Sequence, residues 1–414
     1  MKFYRILLPV VFGFVVYCSQ PADNTISEIK RLEYLRDANP DKFIVWLNSE
    51  NPNIRLKAVE ALGKIQDKSS IPWVGNRLGD ADPRVRSAAA FAIGQFFSPQ
   101  AEQIVSDAIV YEADKQTKAR LITALGKDGT DKSFHFMRDF VETNNRDFQK
   151  AATVACGILS YRGFTPFSVL QSLGILVQTN RDADVRWRSA YALYRAGSPT
   201  EIKSLFKAVD DPDSFTRFFA LRGLRVIASV MRTPQYQSYK NSEIMKDAAE
   251  LTHSDDFYDK ISLAAKDSLW YVRFAALKLM GNLRSRYYLP ALKNALNDPH
   301  PHVRQTSFEE LSNYRTVPAS VFLEFINNCG DWRSAGFALE NLAKVHPAKA
   351  LRIIKQSIDK LGWPENYFHI SALKTIGGKE ANVLLLKLAD GDNLPQVSCV
   401  LDAPVDRLKP PTPL

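Results

Sequence analysis

Apolar residues along most of this chain recur at i, i+3, i+4 and i+7, the spacing that gathers them on one face of a helix. The pattern of Ile54-Arg-Leu-Lys-Ala-Val-Glu-Ala-Leu-Gly63 returns 31 residues later in Val85-Arg-Ser-Ala-Ala-Ala-Phe-Ala-Ile-Gly94. Related segments follow at Lys118 to Gly126, Gln149 to Gly157, Arg186 to Tyr194, Arg217 to Arg225, Arg273 to Gly281 and Arg304 to Ser312, with weaker copies near Arg333 to Leu342 and Tyr367 to Gly377. A fixed period of this length predicts stacked units that bury their apolar faces only against neighbours. Three residues after the arginine position the column reads Ala58, Ala89, Leu121, Ala152, Ser189, Ala220, Ala276, Ser307. Seven after, it reads Leu62, Ile93, Leu125, Cys156, Leu193, Leu224, Met280, Leu311. Small side chains let helices approach closely, and the larger column fills the space between them.

A second apolar stretch precedes each such helix, as in Ile71-Pro-Trp-Val-Gly-Asn-Arg-Leu78, Ile202 to Val209 and Leu289 to Leu296. Turns such as Asp80-Ala-Asp82-Pro83, Asp211-Pro-Asp213 and Asn297-Asp298-Pro299 join the two, with Asp suited to cap a helix and Pro to its first position. Each unit is therefore a helical hairpin. The order of leading helix, Asp-Pro turn, Val-Arg, small-residue helix and Gly stop resembles the HEAT repeat in its short, phycobilisome-lyase-like form. The resemblance implies an all-α, right-handed α-solenoid of about ten hairpins, spanning residues 26–400, and implies little about function because such solenoids serve many.

Two places break the period. One is near Ser160-Tyr-Arg-Gly-Phe-Thr-Pro166, where the spacing is about six residues long. The other follows Ile227, where an insertion at about residues 228–263 carries Tyr236 and Tyr239. Insertions in solenoids map to loops that often bind ligands. The Pro-rich end, residues 401–414, lacks helical periodicity and reads as a mobile tail.

At 100° per residue, positions one, five and eight after the arginine point away from the core columns. In three successive copies they are Trp187, Tyr191, Tyr194; Phe218, Arg222, Arg225; and Phe274, Lys278, Gly281. Earlier copies are blander: Leu56 and Glu60, Ser87 and Phe91, Lys150 and Val154. The HEAT resemblance puts this helix on the concave surface, so Trp187, Tyr191, Tyr194, Phe218, Arg222, Arg225, Phe274 and Lys278 are expected to form a partner-binding patch of aromatic and cationic groups. The opposing expectation is that the insertion folds back and buries these aromatics as local core.

The N-terminus departs from all of this. Lys2 and Arg5 precede an apolar run, Ile6 to Tyr17, which is shorter than the roughly 20 residues needed to cross a bilayer and fits a signal peptide over residues 1–17. The run ends in Cys18, with Tyr17 where Gly, Ala or Ser is usual, and Ser19 to Thr25 follow. The segment resembles a bacterial lipoprotein signal, which implies export, acylation of Cys18, a short linker at 18–25 and anchorage of the protein to a cell-envelope membrane.

Composition narrows the chemistry. The 414 residues are 45% hydrophobic and 24% charged, an ordinary folded composition. Four cysteines with no CxxC pair exclude a zinc ribbon and a disulfide scaffold. Net charge is +9, and +7 once Lys2 and Arg5 are lost with the leader; a basic surface suits anionic lipid or nucleic acid, but export argues against nucleic acid. The repeat arginines 55, 86, 186, 217, 273 and 304 are expected to pair with turn carboxylates, namely Asp82, Asp182, Asp213, Asp267 and Asp298. The chain has no His-Glu dipeptide, the motif of the HEAT-like metal hydroxylases, and His300-Pro-His302 reads as a turn. No cofactor, metal or small-molecule substrate is expected. The reading is a lipid-anchored scaffold that binds a protein partner through its concave face. The alternatives are an enzyme or enzyme subunit with a site in the insertion, where Asp255 and Asp256 adjoin, and a surface protein contacting host molecules.

Overall fold

A computed structural model describes residues 21–164, 168–234, 242–314, 316–328, 331–359 and 366–389. These residues are helical throughout and contain no strand. They fall into two units, Met1–Pro166 and Phe167–Leu414, whose boundary lies at the longer spacing around residue 160. Residues 1–17, expected as a signal peptide, Cys18 and the expected tail at 401–414 lie outside the described residues.

The first unit comprises α1 (Pro21–Leu35), α2 (Pro40–Leu47), α3 (Pro52–Ile65), α4 (Ile71–Asn76), α5 (Pro83–Ile93), α6 (Gln100–Tyr111), α7 (Lys115–Asp128), α8 (Phe134–Val141) and α9 (Arg146–Tyr161). The second opens with α10 (Leu170–Thr179), α11 (Ala183–Ala196), α12 (Ile202–Ala208), α13 (Ser214–Val230), α14 (Glu243–Thr252) and α15 (Asp255–Ala264). It continues with α16 (Trp270–Leu283), α17 (Leu289–Asn294), α18 (Pro301–Leu311), α19 (Ala319–Asn328), α20 (Trp332–Val345), α21 (Pro347–Ser357), α22 (Asn366–Ile376) and α23 (Gly378–Ala389). Helix α1 begins at Pro21, so residues 21–25, expected as linker, are helix: proline is preset for a first helical position, and Ile29 and Leu32 bury the next turns.

Within each unit the trailing helices stack on one another, α1 to α9 through the odd numbers, then α11, α13, α16, α18, α20 and α22. The leading helices cover their other side. Both core columns explain the stack. Every residue of the small column from Ala58 to Ser307 is buried, as is every residue from Leu62 to Leu311 seven places after the arginine. The glycine stops serve the approach: a Cβ on Gly126 would lie 2.5 Å from Ala155 Cα of the next trailing helix, and one on Gly63 would lie 2.7 Å from Ala92 Cβ.

The repeat arginines tie consecutive turns together. Arg55 donates to both Asp80 carboxylate oxygens at 2.8 and 2.7 Å, and Arg186 does the same to Asp211 at 2.8 and 2.9 Å. Arg217 pairs with Asp267, Arg273 with Asp298, Arg86 with Glu112 and Arg304 with Asp331. The third guanidinium arm donates to carbonyls of the arginine's own turn, as Arg273 Nη1 does to Asp267 O at 2.8 Å. Asp82, Asp182 and Asp213 are not the acceptors in this ladder. They begin their helices, accepting the amides of Arg84, Asp184 and Thr216, while before Asp82 and Asp213 the pairing carboxylate, Asp80 or Asp211, sits two residues earlier.

The insertion is shorter than its sequence suggests. Helix α13 runs on to Val230, and α15 is the ordinary leading helix of the next hairpin, with Phe257, Ile261 and Ala264 buried at helical spacing. The added helix is α14, which packs on α12 and the turn before it in the leading layer, with Lys203 Nζ 2.6 Å from Asp247 Oδ2. The arginine ladder passes the insertion unbroken, because Arg217 reaches Asp267 across it in sequence.

Candidate functional site

The trailing helices of the second unit carry an open aromatic row. Each helix is fixed by its buried columns and its arginine clamp, so the side chains one, five and eight places on emerge on the uncovered side. Trp187, Tyr191 and Tyr194 on α11 and Phe218 on α13 are half-buried, and they pack largely on one another. Trp187 stacks on Phe219 with ring centres 5.9 Å apart and meets Phe215 at 6.1 Å. Tyr191 contacts Phe219 edge-on at 5.4 Å. Phe215 and Phe218 both lie 5.7 Å from Tyr271 on α16, and Tyr271 leads through Trp270 to His300 at the start of α18. Tilted and edge-to-face pairs at these distances are the favoured aromatic geometries.

Arginines are threaded between the rings. Arg222 donates to the Tyr194 hydroxyl at 2.7 Å, with its guanidinium 4.5 Å from the Tyr194 ring centre and 5.3 Å from that of Phe218. Arg188 lies 4.2 Å over Trp187, whose indole N–H donates to Asp184 at 3.0 Å. Arg195 lies near the rings of Tyr191 and Tyr194. Such contacts restrict the rotamers of both partners, the property of a surface that binds with little ordering cost.

The remaining sequence-selected residues divide. Phe274 is half-buried on α16. Lys278 spends its charge on α18: its Nζ lies 2.7 Å from Glu309 and 2.8 Å from Glu310, and these hydrogen bonds outweigh burial and hold its pKa above the usual lysine range. Arg225, farther along α13 than Phe218, lines a cavity. Phe215, Phe219, Tyr271 and Trp270 belong to the row and were not selected from the sequence. Counting forward from the arginine overlooks the first helical turn, two and three places before it, where Phe215, Tyr271 and Trp270 stand on the same open face.

Asp255 and Asp256 occupy the first turn of α15 after its cap Ser254, both exposed, where negative charge complements the helix dipole. His300 begins α18 and stacks on Trp270 with ring centres 4.2 Å apart. Among the described residues no three His, Cys, Asp or Glu side chains gather to hold a metal ion, and no helix is long and apolar enough to cross a membrane. Cys156 is buried in the core, which pushes its thiol pKa up to about 12.

The family profile of HEAT repeats matches residues 40–110 and 259–343. Importin beta shares the fold over 88% of this chain and 55% of its own, with a TM-score of 0.56 and 11% identity. Kap121p aligns over 88% of this chain and 44% of its own at a TM-score of 0.48 and 14% identity, and an engineered protein over 84% and 98% at 0.45 and 16%. The chain thus spans about half the length of those two karyopherins. At such identities the likeness speaks for fold alone. No curated protein matches the chain by sequence.

Proposed function

We propose that this HEAT-repeat solenoid is a scaffold that binds a protein partner through the open face of its trailing helices. The observation that carries the reading is the aromatic row from Trp187 to Trp270, interleaved with Arg188, Arg195 and Arg222 and left uncovered by α14, which packs in the other layer. Aromatic and arginine side chains dominate binding hot spots because each covers a large area with few rotamers to freeze. The role is mechanical: arginine clamps hold successive helices in register, and the aligned faces present one continuous surface. Crosslinking capture should compare the wild type with Trp187→Ala/Phe218→Ala, after circular dichroism shows both folded. A partner retained by the wild type and lost by the double variant supports the reading, and identical captures overturn it.

The scaffold is proposed to work in a bacterial cell envelope, tethered by acylation of Cys18. The apolar run ending at that cysteine supports this, and acyl chains contribute about 0.8 kcal/mol per buried CH₂. Labelled palmitate should enter the wild type and not Cys18→Ser; equal labelling removes the tether.

A further inference from the structure

Toward the C-terminal ends of α13 and α16, the same face turns from aromatic to basic. A cavity of about 440 Å³ opens there, lined by Arg225, Arg232, Lys278 and Arg284 with one carboxylate, Glu310. Glu310 is already committed, to Lys278 at 2.8 Å and to the Asn313 amide at 2.9 Å. Arg232 donates to a neutral acceptor, Asn282 Oδ1, at 2.8 Å. The guanidinium groups of Arg225 and Arg284 have no hydrogen-bond or ion-pair partner among the described residues. Burial, and then the like charge of Arg284, pulls Arg232 below the ordinary arginine range.

The helix dipole accounts for only part of this cluster. Some trailing helices elsewhere end with a single basic side chain in the last turn, such as Lys64, Lys127 or Arg195, and others, such as α5, α9 and α18, with none. Helices α13 and α16 have none there, but Arg284 is the C-cap residue of α16 and Arg232 follows the C-cap of α13, so both sit at the negative end of a helix, whereas Arg225 stands more than a turn before the end of α13. Like charges brought together without a counterion cost free energy that an incoming anion recovers. The cavity is also continuous with the aromatic row, since Arg222, one turn before Arg225, lies against Tyr194 and Phe218. A nucleic-acid backbone needs cations repeated along its track, whereas the next step along this face, Lys278, is neutralised by Glu309 and Glu310.

We propose that this basic cavity takes the carboxylates of an acidic peptide segment of the protein partner, while apolar side chains of the same segment lie on the aromatic row. The proposal rests on the reading of this face as a protein-binding surface. Its probe is a fluorescein-labelled hexaglutamate preceded by tryptophan, followed by anisotropy on the full chain and compared with the glutamine counterpart. The glutamate peptide should bind and weaken with salt. Arg225→Gln/Arg284→Gln should lower its affinity by about tenfold or more, and Arg225→Lys/Arg284→Lys should retain most of it. Equal binding of both peptides, no binding of either, or an unchanged affinity in the glutamine variant overturns the cavity. If affinity instead falls only in Trp187→Ala/Phe218→Ala, the binding face stands and the cavity assignment fails. Arginine-dependent capture of phosphatidylglycerol vesicles in preference to the peptide would overturn the choice of an acidic peptide.

Discussion

Helices α3 to α9 and helices α11 to α18 bury the same columns and turn different faces to solvent. Ala58 and Leu62 in the first set are as fully buried as Ala220 and Leu224 in the second. The clamps match as well, with Arg55 and Arg273 each 2.7 Å from a turn aspartate. On the open side the first set shows Leu56, Glu60, Ser87 and Phe91. Two of its exposed rings, Phe91 and Phe97, lie 5.7 and 5.8 Å from Lys127 and pair with no other ring among the described residues. The second set shows a row in which each ring touches another. A repeat needs its core columns and its turn clamp, and it leaves the remaining columns free to carry function.

The most direct test of that division attacks the clamp. Arg273→Ala leaves Asp298, whose side chain is 7% exposed, without its bidentate partner. Removing one member of such a pair strands a desolvated charge, and a loss of about 3 kcal/mol is expected in urea denaturation. Arg55→Ala should cost somewhat less, because Asp80, 3% exposed, keeps Arg77 3.8 Å away. A loss confined to Arg273→Ala would break the comparison by tying the clamp to the aromatic face.

A second effect, spread over a pH range, should appear in the first set alone. Asp128 at the end of α7 is fully buried; it accepts the Ser98 amide at 2.9 Å, and its other oxygen has no partner. Burial raises its pKa from 3.8 to about 7 against the pull of that amide. Between these values the folded chain binds more protons than the unfolded one, so stability falls as pH rises from about 4 to 7 and then levels. Denaturation midpoints should show the wild type up to about 4 kcal/mol more stable at the acid end from this group, with the slope reduced in Asp128→Asn. An identical slope in the variant would assign the dependence elsewhere.

How far these features could be read from the sequence depends on whether local spacing decides them. The core columns follow from helical periodicity, so the hairpins and their stacking were legible residue by residue. The acceptors of the ladder were not, because an aspartate in a turn can cap a helix or pair with an arginine, and only the start of the helix separates Asp80 from Asp82. The insertion looked longer than it is, since Phe257 and Ile261 belong to a leading helix whose partner α16 is visible only once folded. Half of the aromatic row was found by counting from the arginine; Phe215, Tyr271 and Trp270 escaped because they precede it. The unpaired state of Arg225 and Arg284 depends on what other helices bring near them, which no spacing encodes.

The finest test compares two exposed rings. Phe91 is 59% exposed and Trp187 half-buried, so truncation of either removes little covered area. Trp187→Ala also loses its pairs with Phe215 and Phe219, and about 1 kcal/mol is expected, against about 0.5 kcal/mol for Phe91→Ala. Stability therefore separates the two variants barely, while partner capture should separate them completely, lost in Trp187→Ala and kept in Phe91→Ala. If both variants keep the partner, the row is a packing feature of the second set. If both lose it, the binding surface extends to helices whose open columns are bland, and aromatic density ceases to mark it.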